Sequence, residues 1–150
     1  MTYTPPVAGS SNWDVTLNQA LADIDRPSGG VSVATAQTTA STTYADLTTV
    51  GPAVSVTLPS ARTVLVFVKA TLFQVSTTDA VYMSFAAAGA TTVAAVDGNA
   101  VKQNGAGNAE SFTAVSVVAC NAGTTTFTAK YRTTGGSASF ADRVLAVVVT

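Results

Sequence analysis

The chain has 150 residues, of which 10% are charged and 47% are apolar, and its formal net charge at pH 7 is −1. Seven Lys and Arg residues spread over the whole chain are too few for a basic nucleic-acid-binding face. The absence of His, together with a single Cys, excludes zinc sites of the usual Cys/His type and catalytic triads that use His. This composition predicts a structural or binding protein that is not an enzyme and that needs no cofactor or metal.

The lengths of the apolar runs and the types of polar residue also limit where the protein works. The apolar runs, such as 64–68 and the one that contains 146–149, have at most six residues, whereas a helix that crosses a bilayer needs roughly 20. We therefore expect no membrane partner. Thr, Ser, Asn and Gln supply a neutral polar surface, which suits a protein that is part of a large assembly or lies outside the cell.

The first thirty residues differ in character from the rest. An extended arm with adjacent Pro5 and Pro6 precedes the segment NWDVTLNQALADIDRP, the only helical pattern in the sequence. Asn12 or Asp14 can cap this helix. Its apolar stripe, at spacings of i, i+4 and i+7, and the aromatic residue before it are Trp13, Leu17, Leu21 and Ile24. These four residues either cap one end of the following domain, or bundle with their copies in other subunits, or dock on a partner. Together with Pro5 and Pro6, we interpret them as a virion-anchoring or partner-binding surface.

After Gly30 the pattern is β throughout. Eight or nine short segments alternate apolar and polar residues or are rich in β-branched residues, and Gly, Pro, Asn or Asp separates them. The predicted strands are 31–37, 43–50, 53–58, 63–73, 81–87, 91–96, 110–120, 124–131 and 139–150. This spacing predicts an all-β domain over 31–150, an eight- to nine-stranded antiparallel β-sandwich of the jelly-roll type.

Two of these strands are apolar on both faces. In 63–73, Val64, Val66 and Val68 alternate with Leu65, Phe67 and Lys69, and the strand 139–150 follows the same pattern. A sandwich that stands alone shows cleaner polar alternation on its outer faces. The second face is therefore expected to pack against a sister subunit, and symmetric closure favours a ring such as a homotrimer.

The residues that could carry chemistry are few. Asp79, Asp97 and Glu110 lie at predicted turns or strand ends, so we interpret them as solvated turn residues rather than as a glycosidase pair. Cys120 sits in an apolar stretch and is expected to be buried and unreactive.

One further segment, between 97 and 109, is rich in Gly and Asn and is predicted to be a mobile surface loop. An alternative is that its tip contacts a ligand. The residues that would do so are Asp97, Asn99, Lys102, Asn104 and Asn108. The only aromatic residue near this loop in the sequence is Phe112, and sugar sites generally need aromatic rings, so the loop ranks as the weaker candidate.

The sequence also resembles a known group of proteins. The stretch N-W-D-V-x-L-N-x-A-L-A-D-I over 12–24 is similar to the attachment ends of virion accessory proteins of actinobacterial-type phages, which include capsid decoration, head-fibre and short tail-fibre-like proteins. The segment TTYADLTTVGPAVSVTLP over 42–59 looks like the start of their β-sandwich head domains. The resemblance implies a trimeric jelly-roll-like head with an N-terminal anchor. The sequence has no shaft repeat, which favours a compact knob on the capsid.

These inferences predict a non-enzymatic virion protein. It would be a trimeric decoration, or minor capsid, protein that is held to the major capsid protein or another virion protein by residues 1–30 and that stabilises or decorates the particle. The alternative is a tail-fibre or receptor-binding tip protein that binds host-surface polysaccharide. The expected location is the virion, on the capsid surface or on the tail.

Overall fold

The computed structural model describes residues 27–74, 76–105 and 107–150. The predicted arm and helix lie outside the described residues, and so do the proposed anchoring residues Pro5, Pro6, Trp13, Leu17, Leu21 and Ile24. The described part is all-β, and two antiparallel sheets form a sandwich of the jelly-roll type. The predicted fold class is confirmed.

Nine strands make up the two sheets in the described residues. The strands are β1 (Gly29–Val33), β2 (Gln37–Thr39), β3 (Ala53–Leu58), β4 (Arg62–Gln74), β5 (Ala80–Gly89), β6 (Val101–Asn104), β7 (Glu110–Cys120), β8 (Gly123–Thr133) and β9 (Ala138–Val149). One sheet has the order β1-β9-β4-β7, with β2 also paired to β9, and the other has the order β3-β8-β5-β6. A short 3₁₀ helix, Asp97–Asn99, precedes β6.

Three predicted strands were wrong. The segment 31–37 is divided between β1 and β2. The segment 43–50 forms only an isolated bridge between Ala45 and Tyr131, because the chain bends at Gly51, whose φ is +97°, before regular pairing starts in β3. The segment 91–96 likewise has only one bridge, from Val93 to Ala87. Backbone groups of this segment bond to side chains instead of to a neighbouring strand: the amide of Thr91 donates to the hydroxyl of Thr125, and the carbonyl of Val96 accepts from Ser84.

The segment predicted to be a mobile loop, 97–109, contains regular structure. It comprises the 3₁₀ helix and then β6, which pairs with β5 from Met83↔Val101 to Ala80↔Asn104. Val101 and Gln103 are buried, whereas Lys102 is exposed. This alternation over four residues is the strand signal that the surrounding glycines concealed. The turn predicted at Asn104-Gly105 is present, and Gly105 has a φ of +69°.

The core lies between the two sheets. Every second residue of β4 is fully buried, including Val64, Val66 and Val68, and β9 buries Leu145 and Val147 in the same way. Aromatic pairs fill the centre, with ring centroids 5.9 Å apart for Phe85–Phe127 and 4.9 Å apart for Tyr131–Phe140. The buried Cys120 also belongs to this core, as predicted.

The sandwich has two distinct ends. At the end that we call the loop end, the connections 76–79, 107–109 and 134–137 meet, and the amide of Gly105 donates to the carbonyl of Asp79 at 2.8 Å. At the opposite end, called the arm end, β1 begins and Thr150 bonds Thr63. Strand β4 runs the length between them, which for 13 residues is roughly 40 Å. Strand β1 therefore begins far from the loop end.

Candidate functional site

The outer face of the five-stranded sheet is largely apolar. We call this surface the apolar face; its residues are Leu65, Phe67, Val115, Val117, Val144, Ala146 and Val148. The register of β7, β4 and β9 places them in rows across three strands, Val117–Leu65–Val148 and then Val115–Phe67–Ala146.

Exposure is uneven across this face, because Leu65, Phe67, Val144 and Ala146 are half-buried. Val117 is 71% exposed and Val115 is 57% exposed, whereas Val148, on the strand beyond β4, is 41% exposed. A large apolar side chain exposed alone is ordinary, but adjacent ones in cross-strand rows form a patch of the kind that marks an interaction site. In the described part of the chain this surface has no partner layer.

The apolar face ends in a polar group toward the loop end. Lys69 is exposed one row beyond Phe67, and the hydroxyl of Thr71 lies 2.8 Å from that of Ser111. Asp142 accepts a hydrogen bond from Thr71 at 3.2 Å. It has a φ of +48° at a break in the β4–β9 register. The irregularity gives the apolar face a polar boundary.

The residue after this irregularity points inward. Arg143 is fully buried, and its guanidinium donates to the carbonyl of Thr35 at 3.2 Å, with longer contacts of 3.4 Å to the carbonyl of Gly51 and the hydroxyl of Tyr131. No ion pair to Arg143 occurs within the described ranges. Burial raises the pKa of Tyr131 to about 12, so its hydroxyl stays protonated and donates to Gly51 at 2.7 Å. Arg143 therefore fastens the 34–52 connection to the core.

A second surface lies on the other sheet. We call it the Tyr–Arg cluster, and it consists of Tyr44, Tyr82, Asp97, Lys102 and Arg132. Strand pairing places Tyr82 directly between Arg132 of β8 and Lys102 of β6. The guanidinium carbon of Arg132 is 4.1 Å from the centroid of the Tyr82 ring, and Lys102 Nζ is 5.3 Å from it.

Asp97 joins the cluster from the 3₁₀ helix. Arg132 Nε donates to Asp97 Oδ1 at 2.9 Å, and Arg132 Nη2 bonds the other carboxylate oxygen. The hydroxyl of Tyr44 also donates to Asp97 Oδ1, at 2.9 Å, and its ring lies 5.5 Å from the guanidinium. Asp97 is thus held in an ion pair, so its interpretation as a merely solvated turn residue was wrong.

The electrostatics of the cluster follow from these bonds. The hydrogen bonds from Arg132 lower the pKa of Asp97. Burial raises the pKa of Tyr44 well above its usual range, and the hydrogen bond to Asp97 adds to this effect. At neutral pH the cluster therefore holds two cations and one carboxylate.

The structure distributes the five predicted ligand residues over three places. Asp97 and Lys102 belong to the Tyr–Arg cluster, and the Lys102 charge contributes to lowering the pKa of Asp97. Asn99 accepts a hydrogen bond from Ser116 at 3.2 Å, on the side of β7. Asn104 and Asn108 lie at the loop end, where the carbonyl of Asn108 accepts from Gln103 at 3.0 Å.

Sequence reasoning missed three members of the cluster. The expectation that Phe112 is the only aromatic residue near the predicted ligand loop was wrong, because Tyr44 and Tyr82 come from other parts of the chain. The alternation in VYM and KYR, which places Tyr82 and Arg132 on the outside of their strands, was the available signal. The other acids stay separate: Asp79 accepts from Thr134 at 3.3 Å, and Glu110 is exposed at the start of β7.

The remaining features of the surface carry less chemistry. A shallow cavity of about 500 Å³ at the arm end is lined by Arg62, Cys120 and Asn121, among others. Within residues 27–74, 76–105 and 107–150, no three His, Cys, Asp or Glu side chains are grouped to hold a metal ion. No helix in these ranges is long and apolar enough to cross a membrane.

Comparisons with known proteins bear on the fold alone. No protein-family model matches the sequence, and no curated protein matches it. Among solved structures, the fold is similar to that of Eiger TNF from S. frugiperda, with a TM-score of 0.53 and 10% sequence identity. The match covers 83% of this chain and 92% of that chain. At this identity the likeness supports the β-sandwich fold and indicates no function.

Proposed function

We propose that the protein is a structural virion protein, a trimeric decoration or minor capsid protein that residues 1–30 attach to the phage capsid. The observation that supports this proposal best is the apolar face, which is an uncovered second layer on the strands that form the core. We take an apolar sheet face that a single chain leaves exposed to solvent as a sign that the protein is a component of an assembly. The resemblance of 12–24 and 42–59 to phage accessory proteins gives that assembly its identity.

We assign the cover of the apolar face to further copies of the same chain. Three strands spaced about 4.8 Å apart carry its rows over roughly 15 Å of their length, so the apolar face supplies the apolar centre of an interface in which each partner buries roughly 800 Å². Fully burying a Val side chain contributes roughly 1.5–3 kcal/mol. A closed ring of three copies covers each face once and leaves no face to continue the assembly.

We assign the attachment to the particle to the arm end of each sandwich, which lies opposite the loop end. β1 begins at the arm end, so the proposed anchor, which includes Trp13 and Leu17, joins the sandwich there. The loop end then points away from the particle. In this arrangement self-association and attachment use separate surfaces, and each can be lost without the other.

The test is made on particles. Phage particles that lack this protein should release their DNA at a lower temperature than complete particles, because binding to the assembled shell adds to its stability. Adding back the full chain should restore the heat resistance, and a Trp13→Ala variant should not. Unchanged melting of the depleted particles would contradict a stabilising role, and restoration by Trp13→Ala would contradict the anchor.

A second candidate function is a receptor-binding tip that contacts host-surface polysaccharide. The observation that favours it is the Tyr–Arg cluster, which brings the half-buried Tyr44 ring and the buried Tyr82 ring next to Asp97, where the sequence had shown no aromatic residue. The cluster lies toward the loop end, away from the arm, since Tyr82 is the third residue of β5 and Arg132 the tenth of β8.

Adsorption to host cells tests this second function. Fluorescently labelled protein should adhere to host cells, and Tyr44→Ala should abolish adhesion. Thr126→Ala, on the same sheet but outside the cluster, should leave it intact. Equal adhesion of all three proteins would rule out the cluster as the receptor contact.

A further inference from the structure

The Tyr–Arg cluster carries more positive charge than its own residues neutralise. Arg132 and Lys102 approach the same Tyr82 ring from the two neighbouring strands, at 4.1 Å and 5.3 Å from its centroid, so two cations flank one aromatic side chain. The only carboxylate bonded within the cluster is Asp97, and it is bonded to Arg132. The neighbouring pair on the same sheet, Lys130 with Asp46, is balanced and so adds no further charge.

The cluster also has hydrogen-bonding capacity that its own residues do not use. Lys102 is exposed, and no ion pair to it occurs in the described part of the chain. Arg132 spends Nε and Nη2 on Asp97, which leaves Nη1 as a further donor. The Asp97 side chain remains 50% exposed and can still accept hydrogen bonds on its outer side.

We propose that the Tyr–Arg cluster is a binding site for an anionic saccharide whose negative charge is a carboxylate or a phosphate. The anionic group lies between Lys102 and Arg132, where it compensates the surplus charge with charge-assisted hydrogen bonds. Asp97 accepts from the sugar hydroxyls, and the Tyr44 ring flanks the sugar. This assignment rests on the second candidate function and narrows it from host polysaccharide to acidic polysaccharide.

Calorimetric titration of the purified full chain tests the proposal. The two charged probes are a galacturonic acid trimer and a glycerol phosphate trimer, which distinguish the carboxylate from the phosphate source, and the uncharged probe is a galactose trimer. We expect at least one charged probe to bind and the uncharged probe to bind at least tenfold more weakly. Lys102→Gln should weaken the charged probe at least tenfold, and rising salt should do the same.

Two further variants keep the result interpretable. Lys69→Gln removes an exposed lysine from the other sheet and should bind as the unmodified protein does. Arg132→Gln should lose binding. Because this variant also removes the ion-pair partner of Asp97, its melting curve is recorded alongside the titration. Lys102 lies at the exposed surface, so its replacement leaves the fold intact.

Three results would overturn the proposal: no binding of either charged probe, equal binding of the uncharged probe, or equal losses for Lys69→Gln and Lys102→Gln. Because the titration uses purified protein, such a failure says nothing against attachment to the capsid. A failure of host-cell adhesion, in turn, leaves this measurement valid.

Discussion

The two outer faces of this sandwich are built from side chains of nearly the same shape but of opposite character. On the four-stranded sheet the outward positions of β3 and β8 include Ser and Thr residues whose hydroxyls bond across the strands, Ser55 to Thr126 at 2.7 Å and Thr57 to Thr124 at 2.8 Å. On the five-stranded sheet the corresponding positions of β7 and β9 include Val117 and Val148.

The contrast shows which face is complete. Val and Thr both favour strands because both are β-branched, so strand propensity does not explain why one sheet carries Val and the other Thr. A Thr hydroxyl bonds its neighbour and water, whereas an exposed Val methyl group gains only from being covered by another apolar surface. The hydroxyl-bearing face is therefore compatible with solvent, whereas the apolar face is the one that our proposal covers with another subunit.

The largest expected effect comes from placing a charge on the apolar face. Val117→Lys should convert the proposed trimer to monomers, because a buried unpaired charge costs about 3–5 kcal/mol in each interface. Light scattering coupled to size-exclusion chromatography measures the mass. The fold itself should survive, since Val117 is 71% exposed within one chain.

The matched control places the same charge on the opposite face. Thr126→Lys should leave the mass unchanged and should cost only its hydrogen bond with Ser55. If Thr126→Lys dissociates the assembly and Val117→Lys does not, the subunits meet through the four-stranded sheet instead.

An intermediate effect is expected from exchanging the two residue types. Val117→Thr keeps the side-chain shape but buries a hydroxyl at the proposed interface, at a cost of about 1–3 kcal/mol, which weakens association roughly tenfold or more. Thr126→Val should change the melting temperature only slightly, since it removes one exposed hydrogen bond. A dilution series followed by mass measurement gives the effect of Val117→Thr on association, and thermal melts give the effect of Thr126→Val on stability. Equal effects of the two exchanges would mean that the faces do not differ in role.

The smallest effect concerns the ion pair of the polar sheet. Because the Arg132 bonds hold the pKa of Asp97 below its usual value, this carboxylate contributes stability above about pH 4, where the unfolded chain also ionises it, and loses it as the pH falls through the folded pKa. Asp97→Asn should thus cost less than about 1 kcal/mol at pH 7, as is usual for a half-exposed pair. The melting temperatures of the two proteins should differ most at pH 7 and should approach each other as the pH falls through the folded pKa of Asp97. A difference that stays constant with pH would mean that the pair does not titrate with folding.

The strands that could be predicted from the sequence are those whose pattern is long and uninterrupted. The prediction over 110–120 coincides with β7, and those over 53–58 and 139–150 agree with β3 and β9 to within a residue. The segments 43–50 and 91–96 carry similar β-branched residues, but bends and side-chain hydrogen bonds occupy their backbone, which no local pattern shows. Strand β6 was hidden because only four residues of it alternate between two glycine-rich turns.

The apolar face and the Tyr–Arg cluster also differ in how far each could be predicted from the sequence. The apolar face followed from alternation within β4 and β9, and only its neighbours across the sheet were needed to locate it. The Tyr–Arg cluster combines Tyr44, Tyr82, Asp97 and Arg132, whose closest members along the chain are 15 residues apart, with Lys102 only five residues beyond Asp97. Such a site depends on which strands become neighbours, and the sequence showed only the Asp97 and Lys102 part of it.

The molar mass of the full chain in dilute solution tests most directly whether the apolar face is covered by sister subunits. One chain has a mass of 15.0 kDa, so light scattering should give three times that value at micromolar concentration, and this mass should persist in high salt because the contact is apolar. A measured mass of 15.0 kDa, together with a melting temperature that does not change on dilution, would contradict self-association through this face.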